Sequence, residues 1–317
     1  MATSGSVDFS RNRDQIISRA LRIMNVIEAG ETPTAETTNN CAEALEAMVK
    51  AWQADGYHLW TTKEVVLHLT KGQLSYNLGS SSTDHATLED DAKKTELASA
   101  ASSGASTITV DSDDDIADSD EIGIELDDGT LQWTTVNGTP SADVVTLTDT
   151  LTGAAAVDNH VYSYTTDLIR PLRLTNVRRR GEDGNDVPIM MVSRQEYQDT
   201  PNKTGQGKTT MCWYDPERET LGTVYTWQTA DDVKDRLVFT AHLPIEDFDA
   251  AANTQDFPQE WISALTWGLA EELLEEYSVP TELAARITRK ATLYKASVDS
   301  WDQEETSIYL QPMESWG

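Results

Sequence analysis

The residues that come nearest to a chemical signature are Gly205-Gln206-Gly207-Lys208-Thr209-Thr210, because phosphate-binding loops end in Gly-Lys-Thr. A loop of that kind needs a glycine five positions before Gly207, where this chain has Asn202. It also has to join a strand to a following helix, whereas the strand-like Met211-Cys212-Trp213-Tyr214 comes next. The pattern therefore reads as a surface loop. Asp111-Ser112-Asp113-Asp114-Asp115 opens like a calcium loop, but Ile116 occupies the glycine position and Ile122 the position of the bidentate glutamate. His58, His68, His85, His160 and His242 are scattered, with no pair at helical ligand spacing and no Gly-x-Ser-x-Gly elbow. With 54 Asp and Glu in the chain, some carboxylates must meet in space, and that abundance removes any specificity from a two-carboxylate hydrolase reading. Cys41 and Cys212 make neither a disulfide framework nor a metal spacing and read as buried thiols. No catalytic residue, metal site or cofactor follows from these patterns.

Charge narrows the function classes. The formal net charge is −30, and residues 80–166 hold 18 Asp and Glu against only Lys93 and Lys94. An autonomous DNA-binding domain needs a basic face, and this chain as a whole repels phosphate. Enclosing DNA without adhering to it remains compatible with such a charge. Arg170, Arg173, Arg178, Arg179 and Arg180 form the one basic concentration and are the candidate group facing an acidic partner or DNA. The competing reading is a solvated strand whose acids in Gly181-Glu182-Asp183-Gly184 compensate them. The N-terminus shows no cleavable signal pattern and no apolar run approaches the span of a bilayer, so synthesis in the cytoplasm is expected.

The elements that must position these residues follow from periodicity. Ser10 is placed to cap a helix through Ile16, Ile17, Ala20, Leu21, Met24 and Ile27, with Gly30 as its stop. A second helix aligns Ala42, Leu45, Met48, Val49 and Trp52, which makes an αα-hairpin. Val65, Leu67 and Leu69 before Lys71-Gly72, and Leu74, Tyr76 and Leu78 after it, predict a β-hairpin. Short strands are expected at 107–110, 121–126, 131–136, 144–147 and 161–164, with turns at Asp128-Gly129 and Asn137-Gly138. A strand at Asp167–Pro171, a short helix at 193–198 and strands at 209–213, 222–227 and 236–241 complete the middle. Near the C-terminus, Asp256 is placed to cap a helix carrying Ile262, Leu265, Leu269, Leu273 and Leu274. After Pro280 a second helix aligns Leu283, Ile287, Ala291, Tyr294, Val298 and Trp301. The segment 303–317 has no helical period yet holds Ile308, Tyr309, Leu310, Met313 and Trp316, candidate anchors for a portal or inter-subunit contact.

The expected fold class is α+β: a helical bundle from the N-terminal αα-hairpin and the C-terminal helix pair, with β-hairpins and a small inserted acidic all-β domain. The core would be 1–79 with 167–317, ending in an extended tail at 303–317, and the insert would be 80–166. Three segments carry a resemblance: Ala20-Leu21-Arg22-Ile23 with Gly30-Glu31, Leu45 and Trp52-Gln53-Ala54-Asp55-Gly56; Leu67 through Gly79; and Phe257-Pro258-Gln259-Glu260-Trp261. They resemble tailed-phage head-to-tail adaptor proteins, and among these the tail accessory factors, or packaged-DNA stabilisation proteins, of short-tailed phages. The resemblance covers residues 8–79 and about 167–312, and leaves the acidic insert outside the family's minimal form. It implies a structural virion protein that is not an enzyme: a homo-oligomeric ring, typically dodecameric, beneath the portal protein at the head-tail junction. Such a ring continues the DNA channel, encloses double-stranded DNA without reading its sequence, retains it, and offers a platform for downstream tail proteins such as a nozzle, fibres or tail tube. A muralytic activity attributed to some members would need catalytic residues that this sequence does not supply. The competing classes are a tail-associated peptidoglycan hydrolase and a virion decoration or adhesion protein.

Overall fold

The computed structural model describes residues 9–55, 59–218, 220–248, 250–253 and 256–302. The helices are α1 (Arg13–Ile23), α2 (Ala35–Asp55), α3 (Arg194–Asp199), α4 (Ile262–Glu272) and α5 (Thr281–Trp301). The strands are β1 (Thr62–His68), β2 (Ser75–Leu78), β3 (Ala86–Leu88), β4 (Lys93–Glu96), β5 (Thr107–Thr109), β6 (Glu121–Glu125), β7 (Leu131–Thr135), β8 (Val144–Thr146), β9 (His160–Tyr164), β10 (Arg173–Arg180), β11 (Asp186–Pro188), β12 (Met190–Met191), β13 (Met211–Asp215), β14 (Gly222–Trp227) and β15 (Arg236–His242). Contacts divide the chain into two units, one from the described residues up to Thr61 and from Ile245 onward, the other from Thr62–Pro244.

In the helical unit α4 is central and packs on α1, α2 and α5. Ile16, Ile17, Ala20 and Leu21 of α1 recur on one helical face and are buried against Leu265, Leu269 and Leu273. Each large side chain so buried contributes roughly 1.5–3 kcal/mol. The cap of α1 is Asn12, two residues after the expected Ser10: its Oδ1 accepts from Gln15 N at 2.9 Å, and Gln15 Oε1 accepts from Asn12 N at 3.3 Å. The helix stops at Ile23 with Asn25 in the left-handed region, well before Gly30. Thr34 Oγ1 accepts from Thr37 N and opens α2. Before α4 no Asp256 cap forms; a single tight turn, Gln259–Trp261, leads into the helix instead. Trp261, fully buried, stacks at an angle on Trp52, Trp60 and Phe257, and so ties the end of α2 to the start of α4. The returning chain is fixed at Ile245, whose carbonyl accepts from Lys50 Nζ and whose amide donates to Gln53 Oε1.

The other unit contains all the strands. A five-stranded sheet of order β11-β10-β15-β1-β3 faces a four-stranded sheet of order β12-β13-β14-β2. Val65, Leu67, Leu174, Leu237 and Phe239 of the first share one core with Tyr76, Leu78, Cys212, Tyr214 and Val224 of the second. The acidic stretch supplies a further sheet, β4-β9-β6-β7, and a ribbon, β5-β8, around a core drawn only from residues 97–161. Within it Trp133 lies across the strand from Gly123, where a Cβ would come within 2.8 Å of the indole.

The expected fold class is corrected by this arrangement. Among the described residues there are fifteen strands in four sheets and five α-helices, so the β structure is no minor insert in a helical bundle. The physical reason lies in the strands at 173–242. Each is short and carries a weak pattern alone, but together they pair with β1 and β2 and enclose a core of their own. The hairpin expected around Lys71-Gly72 is also overturned, because β1 and β2 enter different sheets. Gly72 N donates to Ala230 O, and Tyr76 Oη both accepts from Thr70 N and donates to Thr70 O, so the connection crosses between layers. No strand forms at Asp167–Pro171; β10 starts two residues past Pro171.

Candidate functional site

Four elements meet at the arginine group. A bulge between Thr175 and Arg178 resets the alternation of β10, after which Arg178 and Arg180 point to one face and Arg179 to the other. Arg178 donates to Glu64 of β1 at 2.5 Å and lies 3.2 Å from Asp186 of β11. Arg180 grips Asp186 with two nitrogens, at 2.7 and 3.0 Å, and reaches Glu89 beyond β3. On the opposite face Arg179 pairs with Asp235 at 3.4 Å. Arg170 donates to the carbonyls of Pro216 and Glu217, and Arg173 stands at the start of β10 with an exposed side chain. The guanidinium of Arg180 holds the Asp186 carboxyl below the usual carboxylate range. Arg178, Arg179 and Arg180 thus already carry carboxylates across the five-stranded sheet, an arrangement suited to locking strands together.

The loop Gly205–Thr210 joins α3 to β13, and its Lys208 sits among Asp231, Asp232 and Asp235 at 3.6, 2.6 and 3.2 Å. Its ammonium group is thus already engaged by carboxylates, which would repel a phosphate. In the Asp111–Asp115 stretch, Asp113 and Asp143 exchange side chain to backbone hydrogen bonds. Among the described residues no group of three or more His, Cys, Asp and Glu is arranged to hold a metal ion, and no helix is long and apolar enough to cross a membrane.

The structure gathers histidines that the sequence scatters. His85 stacks on Trp133 at 3.8 Å, and its Nδ1 lies 2.9 Å from Tyr164 Oη. His68 meets Trp133 and Tyr162 at 5.1 and 4.8 Å, and Arg236 lies over the Tyr162 ring. His68 is buried, and neither of its ring nitrogens has a hydrogen-bond partner among the described residues. Burial first, then the charge of Arg236, pushes the His68 pKa well below that of an ordinary imidazole, and burial lowers His85 to about 4. This junction seats β7 and β9 of the acidic stretch on the end of β1. The linear sequence gives no signal for it, since His68, His85, Trp133 and Tyr162 are far apart along the chain.

Exposed apolar side chains mark two further surfaces. One is the 187–191 segment, where Val187, Met190 and Met191 face solvent on the outermost strands of the two facing sheets. The other is α5. Ile287, Ala291 and Val298 are buried as their spacing predicts, but Trp301 is 60% exposed and Leu293, off that stripe, is 63% exposed. Arg286 and Arg289 accompany Leu293 at helical spacing, are exposed, and enter no ion pair among the described residues. The signal for this second face was a leucine on the side of the helix opposite its core stripe. Ile308, Tyr309, Leu310, Met313 and Trp316 lie outside the described residues.

A comparison with models of known protein families finds no match to this chain, and a comparison with curated proteins finds none either.

Proposed function

We infer that this chain is a structural virion subunit: a head-to-tail adaptor that assembles into a ring beneath the portal protein of a tailed phage. There it continues the DNA channel, retains packaged DNA and carries the next tail component. The observation that supports the reading is that two of the three segments bearing the family resemblance, the N-terminal and the C-terminal one, close into one helical unit around α4. The last helix of that unit leaves Leu293 and Trp301 open to solvent immediately before the apolar anchors of 303–317. Large apolar side chains left exposed on a charged helix fit a surface that another protein covers in the working state. The acidity of the chain fits a channel wall that encloses DNA without holding it.

The test is purification of the full-length protein with the portal protein, followed by electron microscopy of the complex and of virions. A closed ring on the portal-to-tail axis is expected. Particles in which the protein lies elsewhere, or a portal that fails to recruit it, would overturn the reading.

A further inference from the structure

The outer face of α5 has an unusual composition for so acidic a chain. Arg286, Arg289 and Leu293 recur on the side opposite Ile287, Ala291 and Val298, with Trp301 at its border. Ile287 and Val298, in the core cluster with α4, turn this face, which also carries Glu282 at the start of the helix, away from the unit's own core. The same unit bears a hollow of opposite charge where the first half of α2 meets the end of α4. This hollow, about 490 Å³, is lined by Asn40, Glu43, Ala44, Glu272, Glu275 and Glu276. All four glutamates are exposed, and none enters an ion pair among the described residues. The arginines of α1 are weaker candidates for the same hollow, because Arg22 donates to Ser18 O and no exposed apolar side chain accompanies Arg19.

We propose that the outer face of α5 docks into the α2–α4 glutamate hollow of a second copy of this chain. The convex partner brings two guanidinium groups and an apolar centre, and the concave one brings four carboxylates. Charge complementarity fixes the register, with Ala44 as the one apolar side chain of the hollow under Leu293. Each copy offers both halves on different surfaces, so the contact is head-to-tail and propagates into a ring or a filament rather than ending at a dimer. The proposal rests on the ring reading only for its closure; the pairing itself stands on the two surfaces.

The experiment uses full-length protein and two charge-reversed variants, Arg286→Glu/Arg289→Glu and Glu272→Arg/Glu275→Arg. All four positions are exposed, and circular dichroism confirms the fold of each variant. Self-association is followed by sedimentation over a concentration series at low and high salt, with and without the portal protein. The wild type should associate, more strongly at low salt, and each variant alone should associate about tenfold more weakly or worse. Mixing the two variants should restore association, because each then meets a complementary surface. A wild type that stays monomeric in every condition overturns the proposal, as do variants that associate like the wild type. A loss that mixing does not restore overturns it as well, and a loss confined to the arginine variant overturns it and points to the acidic 80–166 stretch as the occupant of the arginine face. A ring on the portal that survives both reversals removes this contact and leaves the adaptor reading intact. Restored association in a protein found away from the portal axis does the reverse.

Discussion

At the scale of single residues, the most telling side chain is His68, buried against Trp133, Tyr162 and Arg236 with neither ring nitrogen paired among the described residues. A buried polar group without a partner opposes folding, so His68→Phe is expected to leave the β unit as stable at pH 7 or more stable by about 1 kcal/mol. Acid should expose the rest of the junction. The folded-state pKa of both histidines lies below the unfolded value, so the unfolded chain binds the extra protons. Stability is then complete above about 6.5 and declines as pH falls toward about 4, the value to which burial lowers His85. His68→Phe/His85→Phe should flatten that decline, measured as urea midpoints between pH 7 and 4.5. An unchanged slope would show that carboxylates, not these histidines, set the acid limit. In the helical unit the corresponding test is Gly268. A Cβ there would lie 2.8 Å from the Trp52 ring and 3.0 Å from Met48 Sδ, so Gly268→Val should destabilise that unit by about 1–3 kcal/mol, read from thermal melts.

At the scale of elements, β10 shows what the sequence can and cannot convey. The run Arg178-Arg179-Arg180 was visible, as was the turn with Glu182 and Asp183 behind it, yet three of the carboxylates that receive the guanidinium groups come from elsewhere: Glu64, Glu89 and Asp235. Only Asp186 is local, across the hairpin. Helices at both ends were legible because their apolar spacing is long enough to be unambiguous, as in Ile16, Ile17, Ala20 and Leu21. The layering was not, because Val65 to Leu69 and Leu74 to Leu78 alternate in the same way whether they pair with each other or with β15 and β14. Pairing is a long-range property that alternation does not specify. Arg180→Met should separate the ladder's contribution from simple packing. It removes a two-point grip on Asp186 and leaves Glu89 uncompensated, and should lower the stability of the β unit by about 1–3 kcal/mol. The loss should be present at neutral pH and shrink as acid protonates Asp186, whose folded carboxyl titrates below its unfolded value. A variant as stable as the wild type at neutral pH would mean that the ladder is redundant with the core beneath it.

For the molecule as a whole, the decisive fact is where the two units are joined. The β unit is continuous in sequence, Thr62–Pro244, whereas the helical unit is split around it. The first and last strands of the insert, β1 and β15, are antiparallel neighbours, with Thr62 directly opposite His242. Both connections therefore leave from one end of one strand pair. A helical unit interrupted at such a point sees the insert as a short closed loop, since the entropy of closing it has been met by the β1–β15 ladder. Two consequences follow for chains made separately. Residues 62–244 alone should fold with a cooperative transition, because neither of their two core clusters includes a residue of the helical unit. The full-length chain with 62–244 replaced by a short Gly-Ser linker should keep the helical unit, with Trp261 still shielded between Trp52 and Trp60, as tryptophan fluorescence would report. If 62–244 instead unfolds without cooperativity while the linker chain aggregates, the two units depend on each other for stability. The whole chain would then be a single folding unit, and the adjacency of Thr62 and His242 would reflect sheet geometry alone.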